Sequence, residues 1–146
     1  MKIPPRPRIG LVVNYSYLWT TEADGGRKEG VKDRPAAIVL ARADLGPAEV
    51  AYVVPVTHTP PSASEIPDKI EIPHRIKAHL GMDDKPSWVV VNEMNVFVWP
   101  GPDLRPVPKT DPPDCVYGIL PASFFNDLKA AVAANFGHVK LVKRGS

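Results

Sequence analysis

The sequence predicts a mainly β domain with one α-helix near its C-terminal end. Short runs of β-branched and apolar residues recur along the chain, separated by proline, glycine and aspartate. The 18 prolines are spread over the 146 residues, which disfavours a helical bundle because proline removes a backbone donor from a helix. One late segment has the apolar spacing of an amphipathic helix. The short links between strands favour antiparallel pairing in a small closed or half-closed barrel.

The first half of the chain contains three predicted strands, within 8–19, at 36–40 and at 48–56. The polar segment 20–33 holds three glycines and mixed charges, so we expect it to be a long exposed loop. The second and third strands should pair as a hairpin, because the link between them is rich in turn formers. These turn formers are Asp44, Gly46 and Pro47.

The second half should add a short strand at 69–72, a short helix at 74–80 and one or two strands within 87–99. Asn92 and Glu93 interrupt the apolar run of this last segment, which predicts a bend or a bulge. A segment at 117–120 then introduces the C-terminal helix, and 139–142 is predicted to be a closing strand. The residues at helical spacing are Phe124, Phe125, Leu128, Val132 and Phe136, between Pro121 and Gly137.

Composition limits the classes of function. The net charge of +2 and the sequence pI of about 8.7 permit a nucleic-acid partner without requiring one. Cys115 is the single cysteine, so no internal disulfide or zinc-site spacing exists, and we expect no metal and no cofactor. We interpret Cys115 as an unreactive loop residue. The first ten residues lack the apolar run of a signal peptide, and no stretch is long enough to span a membrane. We therefore expect one cytoplasmic domain, 1–146, with no membrane partner.

Three stretches, by their order and spacing, resemble the MazF/PemK family of toxins from bacterial type II toxin–antitoxin pairs. The first is a glycine followed by an apolar strand, here Gly10 and 11–13. The second is a charged loop with a glutamate five residues before an Arg-Pro pair, here Glu29 and Arg34, followed by a strand. The third is a strand ending in Pro-x-Thr, here 55–57. The resemblance covers roughly the first sixty residues, and the remainder agrees in outline.

The resemblance implies an SH3-like β-barrel, the fold that this family shares with the CcdB gyrase poisons, in a homodimer. It implies a metal-independent endoribonuclease that cuts single-stranded RNA and is blocked by a cognate antitoxin protein. The chain departs from the family pattern in a longer charged loop, with an added segment at 25–28. It also has His58 after Pro-x-Thr, where a small hydroxyl residue is more typical.

Cleavage of RNA without a metal uses the adjacent 2′-hydroxyl as nucleophile, so it needs a base, an acid and positive charge beside the phosphate. Arg34 suits the charge, because its planar fork binds two phosphate oxygens and stays ionised. We expect it to be exposed at a loop–strand junction. Thr57 can donate a hydrogen bond to the same phosphate or orient Arg34. Thr57 can alternatively be a strand-end residue that bonds its own backbone.

Two residues are candidates for the base. Glu29 stands at the family spacing from Arg34, which favours it. His58 adjoins Thr57, and histidine titrates near neutral pH. Successive strand residues point to opposite faces, so Thr57 and His58 can share a site only if the strand ends there, as the prolines at 60 and 61 suggest. Either residue could instead be a solvated loop side chain.

The loop before Arg34 also holds the predicted RNA-binding residues. Arg27, Lys28 and Lys32 give it positive charge that would attract a phosphate backbone, and Trp19 could stack on an unpaired base. Ordinary packing of Trp19 and solvation of the lysines are the alternatives. Two other functions stay open: a non-catalytic toxin that binds a protein target such as gyrase, and an SH3-like interaction module without activity.

Overall fold

A computed structural model describes residues 1–43 and 48–145 of the chain. The predicted hairpin turn formers Asp44, Gly46 and Pro47 lie outside these residues. Within them the chain forms eight strands and three helices. These are β1 (Leu11–Tyr15), α1 (Thr20–Asp24), β2 (Arg34–Arg42), β3 (Val50–Thr57), β4 (Lys69–Glu71), α2 (His74–His79), β5 (Trp88–Val90), β6 (Glu93–Val98), β7 (Val116–Ile119), α3 (Ala122–Ala134) and β8 (Lys140–Lys143).

The strands form one mainly antiparallel sheet in the order β4-β5-β3-β2-β1-β7. β3 is shared between two neighbours along one edge: its first half pairs with β6 and its end pairs with β5. Its other edge pairs antiparallel with β2, which confirms the predicted pairing of these two strands. β8 lies parallel to β6. A mainly β fold with a C-terminal helix is therefore confirmed.

Most element boundaries shift by one or two residues from the prediction, and two elements depart further. The segment 20–33 begins with the short helix α1, because the Trp19 N–H donates to Glu22 Oε1 at 3.0 Å and so satisfies a donor at the helix start. α3 ends at Ala134, and Phe136 is 88 % exposed, so the predicted apolar face extends too far. The side-chain amide of Asn135 donates to the Ala131 and Pro67 carbonyls, and this fastens the helix end.

β1 and the middle of β2 and β3 are buried on both faces, which is why these segments are largely apolar. Successive β1 residues enter different cores, Val12 on one face and Val13 on the other. The first core lies on the face covered by α2 and α3, and it includes Ala37, Val54, Ile76, Phe124 and Leu128. The second core lies on the opposite face, and it includes Ala36, Val53, Phe97, Trp99 and Leu104.

A buried polar cluster fixes the chain between β1 and α1. The Asn95 side chain accepts from the Leu18 N–H at 2.9 Å and donates to the Leu18 carbonyl at 2.7 Å. Arg144 donates to Asn95 Oδ1 at 2.9 Å and to the Ser16 carbonyl at 2.7 Å. Because these contacts hold the residue that precedes Trp19, they set the position from which the Trp19 ring approaches the start of β2.

Two tyrosines in this region are buried, and removal of their hydroxyls should change the free energy of unfolding in opposite directions. Tyr15 has a buried hydroxyl with no hydrogen-bond partner among the described residues. The Tyr17 hydroxyl donates to Glu93 Oε1 at 3.1 Å. An unsatisfied buried hydroxyl carries its desolvation penalty without compensation. We therefore expect Tyr15→Phe to raise the free energy of unfolding by about 1 kcal/mol and Tyr17→Phe to lower it by about 1 kcal/mol.

Urea denaturation of the two variants beside the parent protein measures both changes. The pair is matched, because each substitution removes one oxygen atom from a fully buried ring in the same part of the fold. A Tyr15→Phe protein that is less stable than the parent would show that its hydroxyl has a partner, such as a bound water.

Candidate active site

A cavity of about 410 Å³ opens where β2 begins and β3 ends. The antiparallel register of these strands pairs Ala36 with Pro55, so extending it by two residues places Arg34 opposite Thr57. The pairing of β2 with β3 thus brings together Arg34 and Thr57, which belong to separate sequence motifs. The polar and charged residues that line the cavity are Lys32, Asp33, Arg34, Thr57, His58, Asp83, Ser87, Lys109 and Tyr117.

Arg34 is partly buried, so the prediction of an exposed arginine is wrong. Its guanidinium carbon lies 4.8 Å from the centre of the Trp19 ring, and Nη1 donates to the Val56 carbonyl at 3.3 Å. Nε is buried and has no hydrogen-bond partner among the described residues. Burial lowers the pKa of Arg34, and the nearby Glu22 and Tyr17 act in the opposite direction. A partly desolvated cation without an ion pair is a good receptor for a phosphate.

Trp19 does not line the cavity but supports Arg34 from outside it. The ring makes an edge contact with Tyr17 at 5.1 Å and presents its face to the guanidinium. A ring in this position contributes by fixing the arginine, since the attraction between cation and ring restricts where the guanidinium can go. Base stacking by Trp19 stays a prediction that needs the guanidinium or the ring to move.

Thr57 is 8 % exposed, and its Oγ1 accepts a hydrogen bond from the Thr59 N–H at 3.1 Å. This is the strand-end bond that the alternative interpretation of Thr57 requires. The bond uses an oxygen lone pair and leaves the hydroxyl proton without an acceptor among the described residues. The backbone contact therefore orients a hydroxyl that can still donate into the cavity.

β3 ends at Thr57, which allows the adjacent His58 to line the same cavity. The sequence predicted that the two residues could share a site only on this condition. His58 Nε2 lies 2.8 Å from Asp83 Oδ2, at hydrogen-bond distance. The cavity thus contains an imidazole whose second nitrogen, Nδ1, has no partner among the described residues.

The remaining loop residues are mostly outside the cavity. Lys32 lines it, whereas Arg27, Lys28 and Glu29 do not and are exposed. Arg27 Nε donates to the backbone carbonyl of Glu29 at 3.3 Å, so this contact leaves the Glu29 carboxylate in solvent. The loop passes so close to Tyr17 that only glycine fits at position 30, because a Cβ there would come within 2.3 Å of the Tyr17 carbonyl oxygen.

Five polar or charged lining residues were not predicted from the sequence: Asp33, Asp83, Ser87, Lys109 and Tyr117. Lys109 has a φ of 65°, which is unusual for a residue other than glycine and is often found where a side chain is held for function. Burial, followed by the charges of Asp83 and Asp33, raises the pKa of Tyr117, so the phenol is neutral and can donate a hydrogen bond. Neither residue belongs to a motif, and only the fold brings them to Arg34.

The cations of the cavity lack counter-ions, while its carboxylates have them. Asp33 lies 3.8 Å from Arg105 Nε, and Asp83 lies 2.8 Å from Lys77 Nζ. Lys32, Arg34 and Lys109, by contrast, form no ion pair with any residue that the structure describes. The cavity therefore favours an anionic ligand.

Other classes of site find no support in the described residues. No group of three or more His, Cys, Asp or Glu side chains among them is arranged to hold a metal ion. No helix among them is long and apolar enough to cross a membrane. Cys115 is buried, and burial raises the pKa of its thiol to about 11, as expected for an unreactive cysteine.

Comparison of the chain with protein-family models, with curated proteins and with solved structures finds no match.

Proposed function

We propose that the protein is the toxin of a type II toxin–antitoxin pair, a metal-independent endoribonuclease of the MazF/PemK type that cleaves single-stranded RNA. One observation carries the proposal. Arg34 and Thr57, which stand in separate family-like motifs, meet in one cavity that also holds His58 and cations without counter-ions. These are the groups that a metal-free attack on a phosphodiester requires.

The sheet supports the SH3-like barrel that the resemblance implies. β3 pairs with β2 on one edge and divides its other edge between β6 and β5. A strand shared between two parts of a sheet is one way in which a small barrel changes direction. We include the barrel in the proposal for this reason.

The proposed reaction is a transesterification within the RNA. The 2′-oxygen bonds to the phosphorus and the bond from phosphorus to the 5′-oxygen breaks, which leaves a 2′,3′-cyclic phosphate and a 5′-hydroxyl. Arg34 stabilises the charge on the non-bridging oxygens, and Thr57 donates a hydrogen bond to one of them. His58 takes the proton of the 2′-hydroxyl. Tyr117, as a neutral phenol in the cavity, is the residue that fits protonation of the leaving oxygen.

This assignment gives His58 the role for which the sequence favoured Glu29. His58 lines the cavity with Arg34 and Thr57, and Glu29 does not. A base must come within hydrogen-bond reach of the proton that it removes. Glu29 stays a candidate that would need the loop to rearrange on binding RNA.

The partners follow from the same charge pattern. The cationic cavity suits the phosphates of single-stranded RNA, and it suits the acidic side chains of a cognate antitoxin that would block it. We propose a homodimer in the cytoplasm, on the basis of the family resemblance. No cofactor enters the proposed chemistry.

The direct test is cleavage of a single-stranded RNA by the purified protein in EDTA. We expect cleavage without added metal, with the 2′,3′-cyclic phosphate and the 5′-hydroxyl identified by mass spectrometry of the fragments. An RNA with 2′-deoxy nucleotides is the control and should stay intact, because it lacks the nucleophile. Activity that EDTA abolishes and a divalent metal restores would contradict the mechanism. Growth arrest without cleavage of any RNA would favour a toxin that acts on a protein target.

A further inference from the structure

We propose that Asp83 and Lys77 are positioning residues for His58, and that they fix the imidazole so that its Nδ1 accepts the proton of the 2′-hydroxyl. The inference rests on the proposed function for the reaction itself. The arrangement of the three side chains, a histidine held by a carboxylate that is held by a buried ammonium, is present in the fold whether or not RNA is the substrate.

The three groups come from separate parts of the chain and form a continuous row. His58 follows the last residue of β3, Lys77 lies in α2, and Asp83 lies in the loop after α2. His58 Nε2 is 2.8 Å from Asp83 Oδ2, and Lys77 Nζ is 2.8 Å from Asp83 Oδ1. Each carboxylate oxygen thus faces one of the two partners.

Lys77 is the unusual member, because its side chain is 1 % exposed. A lysine ammonium removed from water is costly unless charged and polar groups replace the water. Here the replacements are Asp83 Oδ1 and the Lys85 carbonyl. Asp83 is therefore tied to the protein interior although its own side chain is about half exposed, since its departure would leave a buried ammonium unpaired.

The loop that carries Asp83 is fastened to the same point. The Lys85 N–H donates to Asp83 Oδ1 at 3.1 Å, and the Ser87 hydroxyl donates to the Lys85 carbonyl at 3.1 Å. These bonds close the loop around the lysine ammonium. The carboxylate consequently presents its second oxygen, Oδ2, in a fixed direction toward His58 and the cavity.

The charge state of Asp83 decides which imidazole nitrogen carries the proton. Burial raises the pKa of this carboxyl, but hydrogen bonds from Lys77, the Lys85 N–H and His58 outweigh it and hold the pKa below the usual range. An ionised carboxylate only accepts hydrogen bonds, so the proton of a neutral His58 resides on Nε2. The lone pair of Nδ1 is then left for the reaction, and the ring cannot turn without losing its bond to Asp83.

The first measurement is the tautomer of His58, which needs no RNA. Long-range proton–nitrogen correlation spectra of ¹⁵N-labelled protein distinguish protonated from unprotonated imidazole nitrogens, and His58→Gln identifies the signals. We expect neutral His58 to carry its proton on Nε2 in the parent protein. Asp83→Asn should shift it to a mixture of tautomers, whereas Asp84→Asn, a change at the neighbouring exposed carboxylate, should not.

The second measurement is single-turnover RNA cleavage in a double-mutant cycle. We expect Asp83→Asn to slow cleavage on the order of a hundredfold in the parent, the size of effect that general bases have. It should have no effect in the His58→Gln background, because a residue that acts through His58 has nothing left to position. Binding of a 2′-deoxy RNA should change less than about threefold, and Asp83→Glu should restore part of the rate.

Lys77→Met tests the inner end of the row, with Lys140→Met as the control, because Lys140 is exposed on β8 and does not line the cavity. We expect Lys77→Met to slow cleavage, and Lys140→Met to leave the rate near that of the parent. If Asp83→Asn or Lys77→Met fails to fold, Asp83→Glu and the spectra of the parent still decide the tautomer.

The outcomes separate the two proposals. A parent protein that does not cleave RNA would overturn the proposed function and the catalytic part of this inference, while the spectra still decide whether Asp83 orients His58. A parent tautomer with the proton on Nδ1, or an equal rate loss from Asp83→Asn with and without His58, would overturn the positioning role.

Discussion

Arg34→Ala is expected to reduce single-turnover RNA cleavage on the order of a thousandfold and to relieve growth arrest in cells that produce the protein. Arg34 is the cation closest to Thr57 in the strand register, and it forms no ion pair with any residue that the structure describes. The substitution removes the charge that stabilises the phosphate in the transition state. Cleavage rates at saturating protein report that loss without a contribution from weaker binding.

Arg34→Lys should rescue the rate poorly, although it restores the charge. An ammonium is a point charge that cannot form two parallel hydrogen bonds to phosphate oxygens. It also cannot reproduce the stacking of a planar guanidinium on Trp19, at 4.8 Å from the ring centre. We expect the lysine variant to lie closer to Arg34→Ala than to the parent.

Arg27→Ala is the matched control, because Arg27 belongs to the same loop but lies outside the cavity. It should change cleavage only through weaker attraction of RNA, an effect that salt suppresses. Arg34→Ala should alter the free energy of unfolding by no more than about 1 kcal/mol, since the contact with Trp19 is lost but a buried, unbonded Nε is removed as well. Near-normal toxicity of Arg34→Ala would remove the central claim of the proposed function.

The central strands could be predicted from the sequence because most of their residues are buried. In a proline-rich chain, short and largely apolar runs such as 36–40 and 48–56 are typical of strands that are buried along most of their length. The interruption at Asn92 was informative for the same reason, and it does separate β5 from β6. α1 was missed because it begins inside a segment with the composition of a loop, and its start is held by a capping contact between Trp19 and Glu22 and by a long-range bond from the Thr20 N–H to Glu93.

The candidate site could be predicted only in part. Arg34 and Thr57 stand near the start and the end of two strands that pair as neighbours, so their approach follows from the hairpin. The sequence gives no indication that Lys77 and Asp83 belong to the site. A lysine in a short helix is expected to be solvated, and only the fold shows that Lys77 is buried. The burial of Arg34 likewise depends on Trp19, and the position of Trp19 is set through the preceding residue, Leu18, by its long-range bonds to Asn95.

The base is decided by comparing His58→Gln with Glu29→Gln. We expect His58→Gln to slow single-turnover cleavage on the order of a hundredfold or more, because it removes the proton acceptor that lines the cavity. Glu29→Gln should change the rate less than about threefold, because the Glu29 carboxylate is exposed and lies outside the cavity. Affinity for a 2′-deoxy RNA, measured in parallel, separates loss of catalysis from loss of binding.

The pH dependence of the rate gives an independent discrimination. A base must be deprotonated to act, so the rate should rise with pH through the titration of that base. Imidazoles titrate at higher pH than carboxylic acids, so a histidine base places the rising limb at higher pH than a glutamate base. If His58 is the base, His58→Gln should remove the rise of the rate with pH. If Glu29 is the base, the rise should remain. A Glu29→Gln protein that binds the 2′-deoxy RNA normally but cleaves a hundredfold more slowly, beside a His58→Gln protein of normal rate, would assign the base to Glu29. It would also require the loop before Arg34 to close over the RNA.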